Sequence, residues 1–161
     1  MRTSAKGKAI IKMFEGLGDG NKMTKGIYEP YRDQVGVWTI GYGSTYLADG
    51  SKVTKDTKPL TEAQCAELFY KKLPIYEEPV RAFGDLNQNQ FDACVSLCYN
   101  IGTVGFKKSR IYKALTIGKP VTHDMFMAHN KARNQKGVVV TLPGLTRRRE
   151  MEYVLFNSKT F

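Results

Sequence analysis

The sequence predicts a fold in which helices flank one β segment. Apolar residues at positions 10, 13, 14 and 17 repeat with the spacing of one helix face, which predicts an amphipathic helix over residues 4–15. Residues 27–54 alternate aromatic or β-branched residues with glycines, and Asp49-Gly50 is a hairpin-turn signal. These patterns predict a small antiparallel sheet after the first helix, with a loop over residues 16–25 between them.

A capping box marks the helix that follows the sheet. Thr61 and Gln64 have the spacing in which each side chain bonds the other residue's backbone N–H, and this predicts a helix over residues 61–80. Pro74 and Pro79 lie inside that range. Because proline lacks the backbone donor and crowds the preceding turn, these two residues are expected to kink or interrupt the helix.

A second capping box opens the next helix. Asn87 and Gln90 form it, and the helix is predicted to end before Gly102. It carries Cys94 and Cys98 four positions apart, on one face, where they are predicted to pack in the core rather than to serve a redox role. Further helices are predicted over residues 109–116, over residues 122–133 and from residue 146 onwards.

The charge of the chain indicates an anionic partner. The 161 residues carry a net charge of +10 and support one domain. A basic surface suits nucleic acid, anionic lipid or an acidic cell-wall polymer, and charge alone does not choose among them. The lysines and arginines are spread along the whole chain instead of clustering on one helix, which argues against a nucleic-acid-binding module.

The cysteines, the histidines and the N-terminal residues bear on the redox compartment, on metal binding and on membrane anchoring. Three cysteines are a poor basis for a disulfide framework and favour folding in a reducing cytoplasm. With only His123 and His129 and no Cys-x-x-Cys motif, no metal site and no cofactor are predicted, and His129 is interpreted as a structural residue. The N-terminal residues lack an apolar run of signal-peptide length, so no membrane anchor is expected.

Two carboxylates and a threonine are the candidate catalytic residues. Glu15 ends the first predicted helix, where the carbonyl dipoles help a carboxyl group to keep its proton. A turn at residues 34–36 is predicted to fold Asp33 and Thr39 towards a common pocket. Paired carboxylates are the usual means of cleaving a glycosidic bond. The alternatives are a solvated glutamate, a plain turn aspartate and a strand threonine.

Three segments, in order along the chain, carry a family resemblance. The first is Glu15 followed by Asp33-x5-Thr39 within a run that ends in Trp38-Thr-Ile-Gly-Tyr-Gly43. The second is Leu86-Asn-Gln-Asn-Gln-Phe-Asp-Ala93 with Tyr99-Asn-Ile-Gly102, and the third is Leu142-Pro-Gly-Leu145 with Arg147-Arg-Arg-Glu150. Together they resemble the phage-type lysozymes, the endolysins of tailed bacteriophages in glycoside hydrolase family 24.

The resemblance implies an α+β, lysozyme-like fold in a single domain over residues 1–161. A small β-bearing lobe over about residues 16–60 would flank a cleft together with a larger helical lobe over residues 1–15 and 81–161. A long helix over residues 61–80 would join the two lobes.

The resemblance also implies residue roles. Glu15 resembles the general acid, Asp33 the second carboxylate and Thr39 the residue across the cleft that helps to position a water molecule. In similar lysozymes the reaction is regarded as inverting, and retaining chemistry stays open here because sequence does not measure the carboxyl separation. The implied substrate-binding residues are Tyr42, Asn100 and Arg148.

Two departures from the family bear on these roles. Seventeen residues separate Glu15 from Asp33, which is more than the family usually has, and the extra residues are expected in the loop over residues 16–25. Glu29 is the nearby carboxylate that competes with Glu15 for the role of acid. Ser44 stands where the family tends to have a histidine that serves mainly as a structural ion-pair partner.

The function implied by the resemblance is that of a muramidase. Such an endolysin hydrolyses the β-1,4 bond between N-acetylmuramic acid and N-acetylglucosamine in peptidoglycan. It would be a cofactor-free monomer, made in the host cytoplasm, that reaches the periplasmic wall through a separate holin. The alternatives are a lytic transglycosylase, a chitinase-like glycosidase, or a non-enzymatic basic module that binds nucleic acid or the wall.

Overall fold

Six helices and seven short strands form the part of the chain that the computed structural model describes, residues 1–16, 23–24, 26–33 and 35–159. The fold is α+β, as the sequence predicts. The helices are α1 (Ala5–Glu15), α2 (Glu62–Arg81), α3 (Gln88–Lys108), α4 (Arg110–Thr116), α5 (His123–Met127) and α6 (Pro143–Asn157). The strands are β1 (Met23–Thr24), β2 (Ile27–Tyr28), β3 (Tyr31–Arg32), β4 (Trp38–Thr39), β5 (Leu60–Thr61), β6 (Lys131–Arg133) and β7 (Val139–Thr141).

The chain divides into two compact units. The helical unit comprises Met1–Ile10 and Pro74–Phe161, and the β unit comprises Ile11–Leu73. Both boundaries fall within helices, one in α1 and the other in α2. No helix in the described ranges is both long and apolar enough to span a membrane.

Short antiparallel pairings build the β unit. Strand β2 lies between β1 and β5, and β3 pairs with β4 so that Tyr31 lies opposite Thr39. The predicted turn at Asp49-Gly50 is present: Asp49 Oδ1 accepts the backbone N–H of Ser51, and Gly50 has a φ of 83°. One apolar cluster of this unit consists of Ile40, Val53 and Leu68, against which Trp38, Leu47 and Leu60 pack.

The helical unit is organised around α3. The predicted capping box is present, because the Asn87 side chain accepts the Gln90 N–H and the Gln90 side chain accepts the Asn87 N–H. Cys94 and Cys98 are fully buried on this helix, which confirms their predicted place in the core. Gly102 leaves the helical conformation with φ 83° and ψ 161°, as predicted, but α3 then resumes as far as Lys108.

A buried ionic cluster links α3 and α6 within the helical unit. Arg149 and Glu152 are both 0% exposed, and Arg148 is 2% exposed. Oε1 of Glu152 accepts three hydrogen bonds, from Nε of Arg148 at 3.1 Å, from Nη2 of Arg149 at 3.2 Å and from the Ser96 hydroxyl at 2.7 Å. Nε of Arg149 lies 2.8 Å from Oε2 of Glu152, an ion-pair contact without the alignment of a hydrogen bond. Arg148 and Arg149 are therefore part of the core.

The helix predicted over residues 122–133 is wrong beyond residue 127. Helix α5 ends at Met127, and Lys131–Arg133 form β6, which pairs with Val139–Thr141. The cause is a contact distant in sequence, because a β-branched run offers a strand partner across the turn at Gly137. Local helix propensity does not report such a partner.

Three smaller expectations also change. The predicted loop over residues 16–25 contains strand β1, while residues 17–22 and 25 lie outside the described residues. Of the two effects expected at Pro74 and Pro79, a kink or an interruption, the interruption does not occur, because helix α2 continues through both residues. Helix α6 begins at Pro143, earlier than predicted. Proline suits the first position of a helix, because a backbone N–H at that position would have no partner within the helix.

Candidate active site

Glu15 is the last residue of α1, and its carboxyl group lies against the turn that carries Gly43. A β-carbon at position 43 would lie only 3.2 Å from Oε2 of Glu15. Gly43 also has a φ of 79°, in the left-handed region that residues with side chains rarely adopt. Glycine is therefore needed here both for the backbone conformation and for the close approach of Glu15.

Close packing on Tyr42 fixes the end of α1. A β-carbon at Gly16 would lie 2.7 Å from the Tyr42 ring, so only glycine fits directly after Glu15. The Tyr42 ring packs on Phe69 with centroids 5.8 Å apart, and Nζ of Lys12 lies 5.3 Å from its centre. Tyr42 is only 4% exposed, so its position favours support of α1 over the substrate contact that the sequence analysis assigned to it.

Asp33 begins the turn between β3 and β4, where the sequence predicted a turn. Its Oδ1 accepts the backbone N–H groups of Val35 at 3.0 Å and Val37 at 2.9 Å. Its carbonyl oxygen accepts the N–H of Gly36 at 3.0 Å. Two donors at one oxygen fix the orientation of the carboxylate, and Oδ2 has no hydrogen-bond partner among the described residues.

Thr39 lies on β4 and is 3% exposed. Its hydroxyl donates to the carbonyl oxygen of Val37 at 3.0 Å. Because the hydroxyl proton is committed to that bond, the lone pairs of Oγ1 remain available to accept a proton from a bound molecule. Val37 thus connects the two side chains, since its N–H holds Asp33 and its carbonyl holds Thr39.

Tyr31 lies close to both candidate carboxylates. Burial raises the pKa of its phenol, and the charges of Glu15 and Asp33 raise that pKa further. Both carboxylates are therefore within electrostatic reach of one side chain on β3. The sequence analysis did not select Tyr31, although Tyr31 lies only two residues before Asp33.

Lys72 of α2 is a second residue that the sequence analysis missed. Its Nζ donates to the carbonyl oxygen of Gly43 at 2.9 Å. Burial lowers the pKa of Lys72 to about 8, while the charge of Glu15 acts in the opposite direction. Nothing in the sequence distinguishes Lys72 from its neighbour Lys71, because the difference arises from how α2 packs within the β unit.

The other residues singled out in the sequence are described by their own surroundings. Glu29, the alternative acid, is exposed. Asn100 and Arg148 belong to the helical unit, where Oδ1 of Asn100 accepts Nη2 of Arg149 at 2.8 Å. The burial of Arg148 against Ser96 favours a structural role over substrate contact. Among the described residues, no three His, Cys, Asp or Glu side chains gather as a set of metal ligands.

Ser44 carries a buried hydroxyl whose removal is predicted to be harmless. It is 4% exposed, and its Oγ has no hydrogen-bond partner among the described residues. A buried unpaired polar group costs about 1–3 kcal/mol. Urea denaturation should therefore show that Ser44→Ala keeps the free energy of unfolding or raises it by up to about 1 kcal/mol.

Ser96→Ala is the matched control for this prediction. The Ser96 hydroxyl is buried as well, but it donates to Glu152 at 2.7 Å. Its removal leaves part of a buried ionic cluster unsatisfied, so it should lower the free energy of unfolding. Equal losses of stability in Ser44→Ala and Ser96→Ala would contradict the interpretation of Ser44.

Comparison with known proteins identifies the family. Residues 22–152 match the phage lysozyme family model, a range that includes Asp33 and Thr39 and begins after Glu15. The endolysin of Acyrthosiphon pisum secondary endosymbiont phage 1 is 34% identical over 160 residues, which cover 98% of this chain and 99% of that protein. The chain belongs to the phage lysozyme family.

Solved structures extend the similarity to Glu15 and α1. The endolysin from Escherichia coli O157:H7 phage FAHEc1 aligns with a TM-score of 0.82 and 32% identity, covering 100% of this chain and 96% of that one. The muramidase domain of SpmX from Asticaccaulis excentricus aligns with a TM-score of 0.71 and 30% identity, covering 98% and 99%. The lysozyme-like fold that the sequence predicts is confirmed.

Proposed function

We propose that this protein is an endolysin that hydrolyses the β-1,4 bond between N-acetylmuramic acid and N-acetylglucosamine in bacterial peptidoglycan. The observation that carries the proposal is that the chain, a member of the phage lysozyme family, keeps Glu15 against the Gly43 turn and Asp33 fixed in the turn after β3. Paired carboxylates of this kind are what glycoside hydrolysis requires. Membership of the phage lysozyme family supports the same substrate class.

Glu15 acts as the general acid in this proposal. A general acid has to carry a proton on its carboxyl group when the substrate binds. The glycine at position 43 lets a protonated oxygen approach without steric obstruction. Glu15 transfers that proton to the leaving glycosidic oxygen as the bond to the anomeric carbon breaks.

Asp33 and Thr39 position and activate the attacking water. Oδ1 of Asp33 is held by two backbone N–H groups, so Oδ2 takes up the proton of the water. Oγ1 of Thr39 accepts a hydrogen bond from the second hydrogen of that water, because its own hydroxyl hydrogen is donated to the carbonyl oxygen of Val37. A water held in this way attacks the face opposite the leaving group, which corresponds to inversion at the anomeric carbon.

Product analysis on purified peptidoglycan tests the proposal. Hydrolysis releases saccharides with reducing muramic acid ends, whereas a lytic transglycosylase leaves 1,6-anhydro ends, and mass spectrometry separates the two because they differ by one water. We expect reducing ends alone, with cleavage that persists in excess chelator. Anhydro ends would favour the transglycosylase, and release of products from chitin but not from peptidoglycan would favour the chitinase-like alternative.

The remaining parts of the proposal concern substrate capture and release. The net charge of +10 suits the anionic polymers of the cell wall. Asn100 is proposed to contact the glycan through its side-chain amide. We propose that the enzyme works as a monomer without a cofactor. In this proposal it is made in the host cytoplasm and reaches the periplasmic wall after a separate holin opens the membrane.

A further inference from the structure

Lys72 differs from the other lysine beside it on α2. Lys71 is exposed and pairs with Glu67 one helical turn away at 3.2 Å, an ordinary surface ion pair. Lys72 is half-buried and donates to a backbone carbonyl in a distant turn. Two adjacent lysines on one helix thus have very different environments. Burial of an ammonium group is costly, so a lysine in such a position requires a physical reason.

The turn that Lys72 contacts is closed by backbone hydrogen bonds and packs on α2. Ile40 and Ser44 exchange two backbone hydrogen bonds of 2.8 and 3.0 Å across it. A β-carbon at Gly41 would lie 2.8 Å from Cβ of Cys65, so this part of the turn lies directly on α2. Nζ of Lys72 closes the turn by donating to the carbonyl oxygen of Gly43.

The same turn faces the candidate acid. Gly43 is the residue whose missing side chain admits Oε2 of Glu15. The charge of Glu15 also raises the pKa of Lys72 against the larger effect of burial, so the ammonium and the carboxylate are within electrostatic reach. Gly43 is therefore contacted through its carbonyl by Lys72 and approached at its α-carbon by Glu15.

We infer that Lys72 is a positioning residue for Glu15, which holds the Gly43 turn in place and supplies a positive charge beside the carboxyl group. The inference rests on the proposed function of Glu15 as the acid. When Glu15 gives up its proton, negative charge develops in a half-buried place. A preorganised ammonium stabilises that charge as it forms, which lowers the barrier of the proton-transfer step.

Among the described residues, the other ionisable groups near Glu15 have different surroundings from Lys72. Tyr31 of β3 has a raised phenol pKa and is neutral, and Asp33 at the end of β3 is itself a carboxylate. Lys12 of α1 donates to the hydroxyl of Tyr70 at 2.7 Å, and its ammonium lies 4.6 Å from the centre of the Tyr70 ring. For Lys72, the charge of Glu15 raises the pKa against the larger effect of burial.

Titration of Lys72 tests the electrostatic part directly, independently of any activity. In the whole protein with 15N-labelled lysine, Nζ of Lys72 should titrate near pH 8. In Glu15→Gln the attracting charge is gone, so the pKa of Lys72 should fall further while the pKa of Lys71 stays the same. An unchanged Lys72 titration in Glu15→Gln would overturn the inference, even if the protein proves to be a muramidase.

Activity of variants tests the positioning part. Lys72→Met should lose roughly 10-fold in kcat on peptidoglycan, because a charge that stabilises the transition state is removed. Lys72→Arg keeps a positive donor and should recover most of that loss, and Lys71→Met should behave as wild type. The alkaline limb of the pH–activity profile should move to higher pH in Lys72→Met, since a carboxyl group without a neighbouring cation holds its proton more tightly.

The outcomes separate this inference from the proposed function. A protein that does not cleave peptidoglycan at all removes the proposed function, while the titration still decides whether Lys72 and Glu15 interact. An active protein in which Lys72→Met keeps both its kcat and its alkaline limb overturns the positioning role. A lowered kcat that Lys72→Arg does not restore, with an unmoved alkaline limb, indicates a purely structural lysine and also overturns it.

Discussion

Replacing Glu15 with glutamine is expected to reduce the rate of peptidoglycan cleavage by at least ~10²-fold. Glutamine has nearly the same shape, so the packing against Gly43 survives, but it carries no transferable proton. Turbidity loss of permeabilised cells and release of soluble saccharides both measure the rate. The far-ultraviolet circular dichroism spectrum and the urea midpoint of the variant should match those of the wild type, which excludes misfolding as the cause.

Glu29→Gln is the matched control for Glu15→Gln. Glu29 is exposed and precedes Pro30 between β2 and β3, so its replacement removes a nearby carboxylate of the same kind. Most of the activity should remain. If Glu29→Gln is inactive and Glu15→Gln is close to wild type, the acid lies on the other side of the inserted residues and the assignment of Glu15 is wrong.

Local rules account for the parts of the fold that sequence predicts well. Both reciprocal hydrogen bonds of the capping box of Asn87 and Gln90 are present, and α1 ends at Glu15 as predicted. The turn after Asp33 follows from the preference of aspartate for accepting backbone N–H groups two and four residues ahead. Each of these features depends on residues that are only a few positions apart, so it can be predicted from a short stretch of sequence.

Features that depend on contacts between residues far apart in the sequence cannot be predicted in this way. The strand β6 was predicted as helix because Lys131–Arg133 continue a helical pattern, and only the pairing with Val139–Thr141 decides otherwise. The difference between Lys71 and Lys72 arises in the same way, since only packing shows which lysine reaches Gly43. In the candidate site, Glu15 and Asp33 could be selected from a motif, whereas Tyr31 and Lys72 required the three-dimensional arrangement.

For Arg148, the sequence contained a local signal of an ionic cluster that the sequence analysis did not use. The sequence analysis interpreted Arg148 as a substrate-binding residue. Arg148 lies four positions before Glu152 and Arg149 lies three positions before it, both spacings at which side chains meet on a helix. That pattern predicts an intrahelical ionic cluster, and the burial of all three residues makes it part of the core.

Replacing Glu152 with glutamine is expected to produce the largest loss of stability. The carboxylate is 0% exposed and is contacted by Arg148, Arg149 and Ser96. Glutamine keeps the volume but removes the charge, so two buried guanidinium groups lose their counter-ion. Breaking a buried pair by removing one partner typically costs about 3–5 kcal/mol, because the remaining charge stays in a medium of low polarity.

Glu150→Gln separates this effect from the general loss of a helical glutamate. Glu150 lies on the same helix, two positions away, and its half-exposed side chain pairs with His123 at 2.6 Å. An exposed pair contributes only about 0–1 kcal/mol, since water screens both charges. Urea unfolding should therefore show a much lower midpoint for Glu152→Gln than for Glu150→Gln, with similar slopes for both. Equal midpoints would mean that water reaches the cluster and solvates the arginines once Glu152 is neutral, so that Arg148 and Arg149 are not enclosed as the structure has them.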